Sequence, residues 1–106
     1  NKSIINLLNH FRDTGYVTII FSGRDSICRQ LTEHWLADNG VLYDELYMRA
    51  INDNRKDSII KEELFFQHVF GVYNIEYVVD DRLQVCRMWD KLGLTLLRVG
   101  NPDADF

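Results

Sequence analysis

A single proline and only two cysteines occur in these 106 residues, and neither charge sign dominates. With 46% hydrophobic residues, the scarcity of proline excludes a disordered or proline-rich linker and implies one compact domain. Cys28 and Cys86 fall inside helical patterns and lack any Cys-x-x-Cys spacing. They read as reduced, partly buried thiols of a cytoplasmic protein, with a disulfide as the minor alternative. No apolar run is long enough to span a bilayer and no signal-peptide pattern opens the chain, so no membrane partner is expected. A net charge of −4 provides no broad basic surface. That weighs against a protein that coats duplexes, but not against an enzyme gripping one phosphate. His10, His34 and His68 are scattered over three helical patterns, which disfavours a histidine metal site or triad.

What is present is an alternation of helical and apolar strand patterns. Ile4, Leu7, Leu8 and Phe11 mark an amphipathic helix that Gly15 stops. Val17 to Phe21 is apolar and β-branched enough to be a buried parallel strand. A helix follows from about Ser26 to Asn39, with Leu31 and Trp35 inward and Gly40 closing it. Asp44 to Met48 reads as a short strand and Arg49 to Asp57 as a polar loop. The next helix runs from Ser58 to about Val69 with Ile60 and Leu64 inward; Tyr77 to Val79 then forms a strand ending at Asp80. Val85, Met88, Trp89 and Leu92 form a helical stripe stopped by Gly93, and Thr95 to Val99 is a last strand. This order calls for an α/β fold with a doubly wound parallel sheet.

Chemistry-bearing residues collect at strand ends, where open α/β sheets bind ligands. After Phe21 come Ser22, Gly23 and Arg24: a hydroxyl, a residue permitting close backbone approach, and a guanidinium suited to phosphate. Each is also an ordinary turn or solvent-facing residue in many proteins. Asp80 and Asp81 follow a strand, a place where paired carboxylates serve a hard divalent cation. Equally, Asp81 suits an N-cap, with Gln84 completing a capping box. Lys61 falls in the first turn of its helix, the wrong end of the macrodipole for a cation, yet a good place to meet phosphate. The competing reading turns Lys61 into solvent toward Glu62 or Glu63. Asp57 is poised to cap the same helix. Arg55 and Lys56 read as a solvated basic patch, and Trp35 and Trp89 as core.

Ser22, Lys61 and Asp80-Asp81 together resemble the second, third and fourth motifs of the haloacid-dehalogenase superfamily of phosphohydrolases. Ser22-Gly23-Arg24, then Arg55 through Glu63, then Val79-Asp80-Asp81-Arg82 with Val85 and Met88-Trp89, resemble the phosphatase domain of phage-type polynucleotide kinase/phosphatases. The closing Asp105-Phe106 fits the same pattern. The resemblance implies a magnesium-dependent phosphatase that removes a 3′-phosphate from a DNA or RNA end by way of an aspartyl-phosphate. By position, Ser22, Gly23 and Arg24 would bind phosphate, and Lys61 would stabilise developing charge and pair with the nucleophile. Asp57 would orient Lys61 or Arg24. Asp81 would hold magnesium, with Asp80 as the alternative ligand or a partner behind it.

The family's first motif, which carries the nucleophilic aspartate on the central strand of its sheet, is not found in these residues. The expectation is therefore that 1–106 is the C-terminal part of one such domain, inactive alone, with the missing strand and a kinase domain as candidate upstream partners. The absence of an initiator methionine points the same way, and self-association is left open. Two alternatives stand beside this reading: a phosphatase of a nucleotide or other small phosphoester, and a non-catalytic interaction domain. The short link between Asp44 and Asp57 leaves no room for a large cap, which favours a bulky polymer end as substrate.

Overall fold

The computed structural model describes residues 2–100, so Asp105 and Phe106 lie outside the described residues. The chain divides into two compact units, Asn1–Asp53 and Asn54–Phe106.

The first unit contains α1 (Lys2–Asp13), β1 (Ile19–Asp25), a 3-10 turn (Ser26–Cys28), α2 (Arg29–Asp38) and β2 (Glu45–Arg49). β1 and β2 are parallel, with Ile19 opposite Glu45 and Ser22 opposite Met48. Leu36, Val41, Leu46 and Met48 form the core here, joined by Ile5, Ile20, Cys28 and Tyr43. α2 stops at Gly40, whose φ of +69° suits a residue without a Cβ. The Val41 amide then reaches back to the Leu36 carbonyl at 2.9 Å. α1 is tied on by Asn9, which donates to the Gly40 carbonyl (2.7 Å) and accepts from the Leu42 amide (3.1 Å).

Three sequence expectations fail in this unit. Val17 lies before the strand and is exposed, and β1 has no fully buried residue. It is hydrogen-bonded to β2 alone among the described residues, and every residue of it but exposed Arg24 is half-buried. Leu31 and Trp35 are 67% and 53% exposed, and Thr32 and Leu36 are buried in their place. The 3-10 turn sets the helix phase, so that Cys28, Thr32 and Leu36 face inward, one residue off the expected stripe. Trp35 is therefore not a core residue. Finally, β1 continues through Ser22–Asp25, which reads as loop in the sequence.

Asp44 ties the start of β2 to the start of β1. Its carboxylate accepts the Thr18 amide (2.8 Å) and pairs with Arg12 (3.0 Å). The Thr18 hydrogen bond, with help from Arg12, holds the Asp44 carboxyl below the ordinary carboxylate range. A depressed native pKa means that this contribution is present above the unfolded value and lost as pH falls through the native one. Chemical denaturation of Asp44→Ala and wild type is expected to show a gap in stability at neutral pH that closes progressively below about pH 4. A gap independent of pH would remove the carboxylate as its cause.

The second unit contains α3 (Asp57–His68), β3 (Val78–Asp80), α4 (Leu83–Lys91) and β4 (Leu96–Arg98). β3 and β4 are also parallel, with Val78 opposite Leu96 and Asp80 opposite Arg98. Ile60 and Phe65 from α3, Val69 beyond it, and Val85, Cys86, Met88 and Trp89 from α4 are buried. Leu64 is only half-buried. Gly93, at φ +81°, ends α4 as expected, with the Leu94 amide bonded to the Trp89 carbonyl.

Candidate functional site

Asp80 ends β3, and its side chain is only 8% exposed. A carboxylate in such a place must be compensated by donors or cations. Four donors reach it. Oδ1 accepts the backbone amides of Asp81 (2.8 Å) and Arg82 (3.3 Å). Oδ2 accepts Lys61 Nζ (3.3 Å) and the indole Nε1 of Trp89 (3.2 Å). Lys61 comes from α3, 12% exposed, and its ammonium also lies 3.4 Å from Asp57 Oδ2. Arg82 Nη1 is 3.4 Å from that same oxygen. Two cations and two carboxylates thus alternate: Arg82, Asp57, Lys61, Asp80.

The local structure decides between the paired readings. α3 begins at Asp57, with Lys56 at the cap position, so Asp57 is the first residue of the helix rather than its cap. Lys61 is then one full turn into the helix, not in its first turn, and faces two carboxylates rather than solvent. The macrodipole penalty expected of it is met by Asp57 at the very start of the helix. Asp81 is not the N-cap of α4. Arg82 holds that position without a side-chain cap, and it is Asp80 that takes the neighbouring amides. The Asp81 side chain is exposed and makes no hydrogen bond or ion pair among the described residues. Arg55 is not simply solvated, because it forks onto Glu63 at 2.5 and 2.6 Å.

In the first unit, Ser22, Gly23 and Arg24 occupy the end of β1, where its register with β2 slips between Ser22 and Asp25. Ser22 Oγ accepts the Arg24 amide (3.2 Å), which leaves its hydroxyl proton available for donation. The Gly23 carbonyl accepts Arg49 Nε (2.8 Å), and Arg49 Nη1 donates to the Asp53 carbonyl (2.9 Å). Asp25 accepts the amides of Ile27 (2.9 Å) and Asn52 (3.2 Å). The Arg24 guanidinium is exposed and has no protein partner among the described residues.

Cys86 is buried beneath the charged cluster. Burial, reinforced by the negative charge of Asp80, pushes its thiol up from the ordinary value, so it remains protonated at neutral pH and is no nucleophile. Among the described residues no three histidine, cysteine, aspartate or glutamate side chains gather as a metal cage. Magnesium needs only one or two protein carboxylates and keeps several waters. Asp81 fits that demand, whereas Asp80 has its acceptor positions taken by four donors.

Sequence reasoning missed three participants: Arg49, Arg82 and the polar end of Trp89. The last had a signal, since a buried indole N–H requires an acceptor. Arg49 had none, because nothing in the sequence shows its strand end lying beside Gly23.

Over residues 1–106 the chain matches the family model of the polynucleotide kinase PNKP phosphatase domain. A protein of Autographa californica nuclear polyhedrosis virus, named as a bifunctional polynucleotide kinase/RNA ligase, is 38% identical over 79 residues. That match covers 74% of this chain and 11% of the viral protein. A chain in the solved Pnkp1/Rnl/Hen1 RNA repair complex superposes with a TM-score of 0.94 at 41% identity, covering 98% of this chain and 34% of that one. A second structure of the Pnkp1/Rnl/Hen1 complex gives the same score and identity, with 37% of its chain covered. The chain thus spans about a third of those solved chains and a smaller part of the viral protein. With its whole length matched, this mixed α/β chain of parallel strand pairs belongs to the family of haloacid-dehalogenase-type polynucleotide kinase PNKP phosphatase domains.

Proposed function

We propose that this chain is the phosphate-handling and metal-holding part of a magnesium-dependent phosphomonoesterase that removes 3′-phosphates from nucleic acid ends. The observation that carries this reading is Lys61, nearly buried between Asp57 and the strand-end Asp80, with the exposed carboxylate of Asp81 next in sequence. An ammonium held by two carboxylates is a fixed charge that needs little reorganisation to meet a transferring phosphoryl group.

In this reading the Ser22 hydroxyl and the exposed Arg24 guanidinium donate to phosphoryl oxygens, with Gly23 allowing close approach. Lys61 stabilises charge as it builds in the transition state, and Asp57 holds its ammonium. Asp81 supplies the carboxylate oxygen to magnesium, and Asp80 orients Lys61 from behind. Magnesium, when bound, offsets charge on the phosphoryl oxygens. The nucleophile is an aspartate contributed from sequence outside these 106 residues. It attacks phosphorus, and the bond to the 3′-oxygen breaks. That oxygen takes a proton from an acid of the same outside sequence to leave as the hydroxyl. Water then hydrolyses the aspartyl-phosphate to inorganic phosphate and the free carboxylate. β1 and β3 each have one hydrogen-bonded neighbour among the described residues. A strand carrying that aspartate could pair with such an open edge and extend the parallel sheet. The chain alone would then be inactive. The named activities of its relatives, an RNA ligase fusion and an RNA repair complex, support an RNA end as substrate and repair domains as partners.

The test uses the full-length protein and magnesium with oligonucleotides bearing a 3′-phosphate or a 5′-phosphate, in DNA and RNA, alongside nucleoside monophosphates. Phosphate release confined to 3′-phosphorylated oligonucleotides is the expected result. Equal turnover of free nucleotides would transfer the assignment to a small-phosphoester phosphatase, and no release from any substrate would sink the enzyme reading.

A further inference from the structure

The four donors on Asp80 are not equivalent. Two are backbone amides of the following residues and one is the Lys61 ammonium, so three belong to the strand end and the charged cluster themselves. The fourth comes from α4, a helix whose other inward residues, Val85, Cys86 and Met88, are there for packing. Trp89 is 3% exposed, and its indole N–H points at the same carboxylate oxygen that receives Lys61.

We propose that Trp89 is a positioning residue of the phosphatase: its N–H fixes Asp80 Oδ2, and through that oxygen sets where the Lys61 ammonium stands. The inference rests on the role given to Lys61 above and extends it to a residue that touches neither substrate nor metal. Filling the core at this place requires an aromatic ring but not a polar one, and phenylalanine is already used for that purpose by the neighbouring helix. Phe65 packs edge-on against the indole, with centroids 5.8 Å apart and planes at 76°. That contact fixes the ring plane, and hence the direction in which Nε1–H can donate. Lys61 is shared between two carboxylates at nearly equal distance, 3.3 Å to Asp80 and 3.4 Å to Asp57. A charge balanced in this way is easily displaced toward either anion. If Oδ2 loses one of its two donors, that oxygen shifts while the amides of Asp81 and Arg82 keep hold of Oδ1, and the ammonium follows. The consequence falls on the transition state, where placement matters most, and much less on substrate binding.

The decisive variant replaces Trp89 in the full-length protein by its benzothienyl analogue, which carries sulfur in place of the indole N–H and keeps the ring's shape. Trp89→Phe is the companion. For the analogue we expect kcat to fall about tenfold or more, with KM changed less than about twofold and the melting temperature close to wild type. The indole 1H–15N resonance that disappears in Trp89→Phe identifies this group. It should be protected from solvent exchange, unlike that of exposed Trp35, and should move in Asp80→Asn. An analogue with wild-type kcat, or a kcat that falls only as much as stability does, would make Trp89 a packing residue and overturn the proposal. Wild-type protein that releases no phosphate would instead bring down the functional reading beneath it, and the positioning role with it.

Discussion

Lys61→Met is expected to destabilise the protein by about 3 kcal/mol, near the low end for removing one partner from a buried ion cluster. The side chain fills similar space, so the loss is electrostatic. Asp57 and Asp80, whose side chains are 7% and 8% exposed, would face each other without the cation between them. Arg82 and the Trp89 N–H remain to compensate them in part, which keeps the cost from the upper end. Urea titration of the single variant and of Lys61→Met combined with Asp57→Asn tests the cause. Neutralising Asp57 should return part of the loss, a coupling of about 1–2 kcal/mol. Two effects that simply add would mean that the carboxylates do not feel Lys61. In the phosphatase assay Lys61→Ala should lower kcat by about two to three orders of magnitude with a small change in KM, the pattern of an interaction made in the transition state. A rise in KM alone would make it a ground-state binder.

Asp81→Asn should behave in the opposite way, with a large effect on turnover and almost none on the fold. Its side chain is exposed and makes no bond among the described residues, so stability should change by no more than about 0.5 kcal/mol. Magnesium-dependent phosphate release should fall by at least about a hundredfold, since the substitution removes an anionic ligand for a hard cation. Asp80→Asn, one residue away, should unfold at a lower denaturant concentration than wild type because it disturbs four donors at once. Retained activity in Asp81→Asn would take it out of the metal site. Matching losses of stability in the two variants would show that the adjacent carboxylates are not divided between ligand and scaffold.

The sequence made the order of elements legible because period and punctuation both pointed to it. Gly40 and Gly93 end their helices where expected, and the strands ending near Asp80 and beginning near Thr95 lie within a residue of the observed ones. Helix phase was harder to read. Leu31 and Trp35 form as regular a stripe as Thr32 and Leu36, and apolar character alone favoured the wrong one. What decides it is the 3-10 turn, capped by Asp25, a local hydrogen-bonding choice that hydrophobicity does not encode. At the candidate site, the residue types were identifiable but their division of labour was not. Asp80 and Asp81 are indistinguishable as letters. They differ because strand pairing buries one under a lysine and an indole and leaves the next at the surface. Likewise, the helix-start rules gave Asp57 a capping role, whereas one residue of shift in the helix boundary turns it into the partner of Lys61 at i, i+4.

Each parallel strand pair is closed within one contiguous half of the chain, by α2 in Asn1–Asp53 and by α4 in Asn54–Phe106. Parallel pairing over long sequence separations is slow to find, and here the separations are those of a single crossover helix. A chain emerging N-terminus first can therefore pair β1 with β2 across α2 before the second half has fully emerged. The order of synthesis then becomes the order of folding: the half bearing Ser22 and Arg24 forms first, and the half bearing Lys61 and Asp81 forms after it.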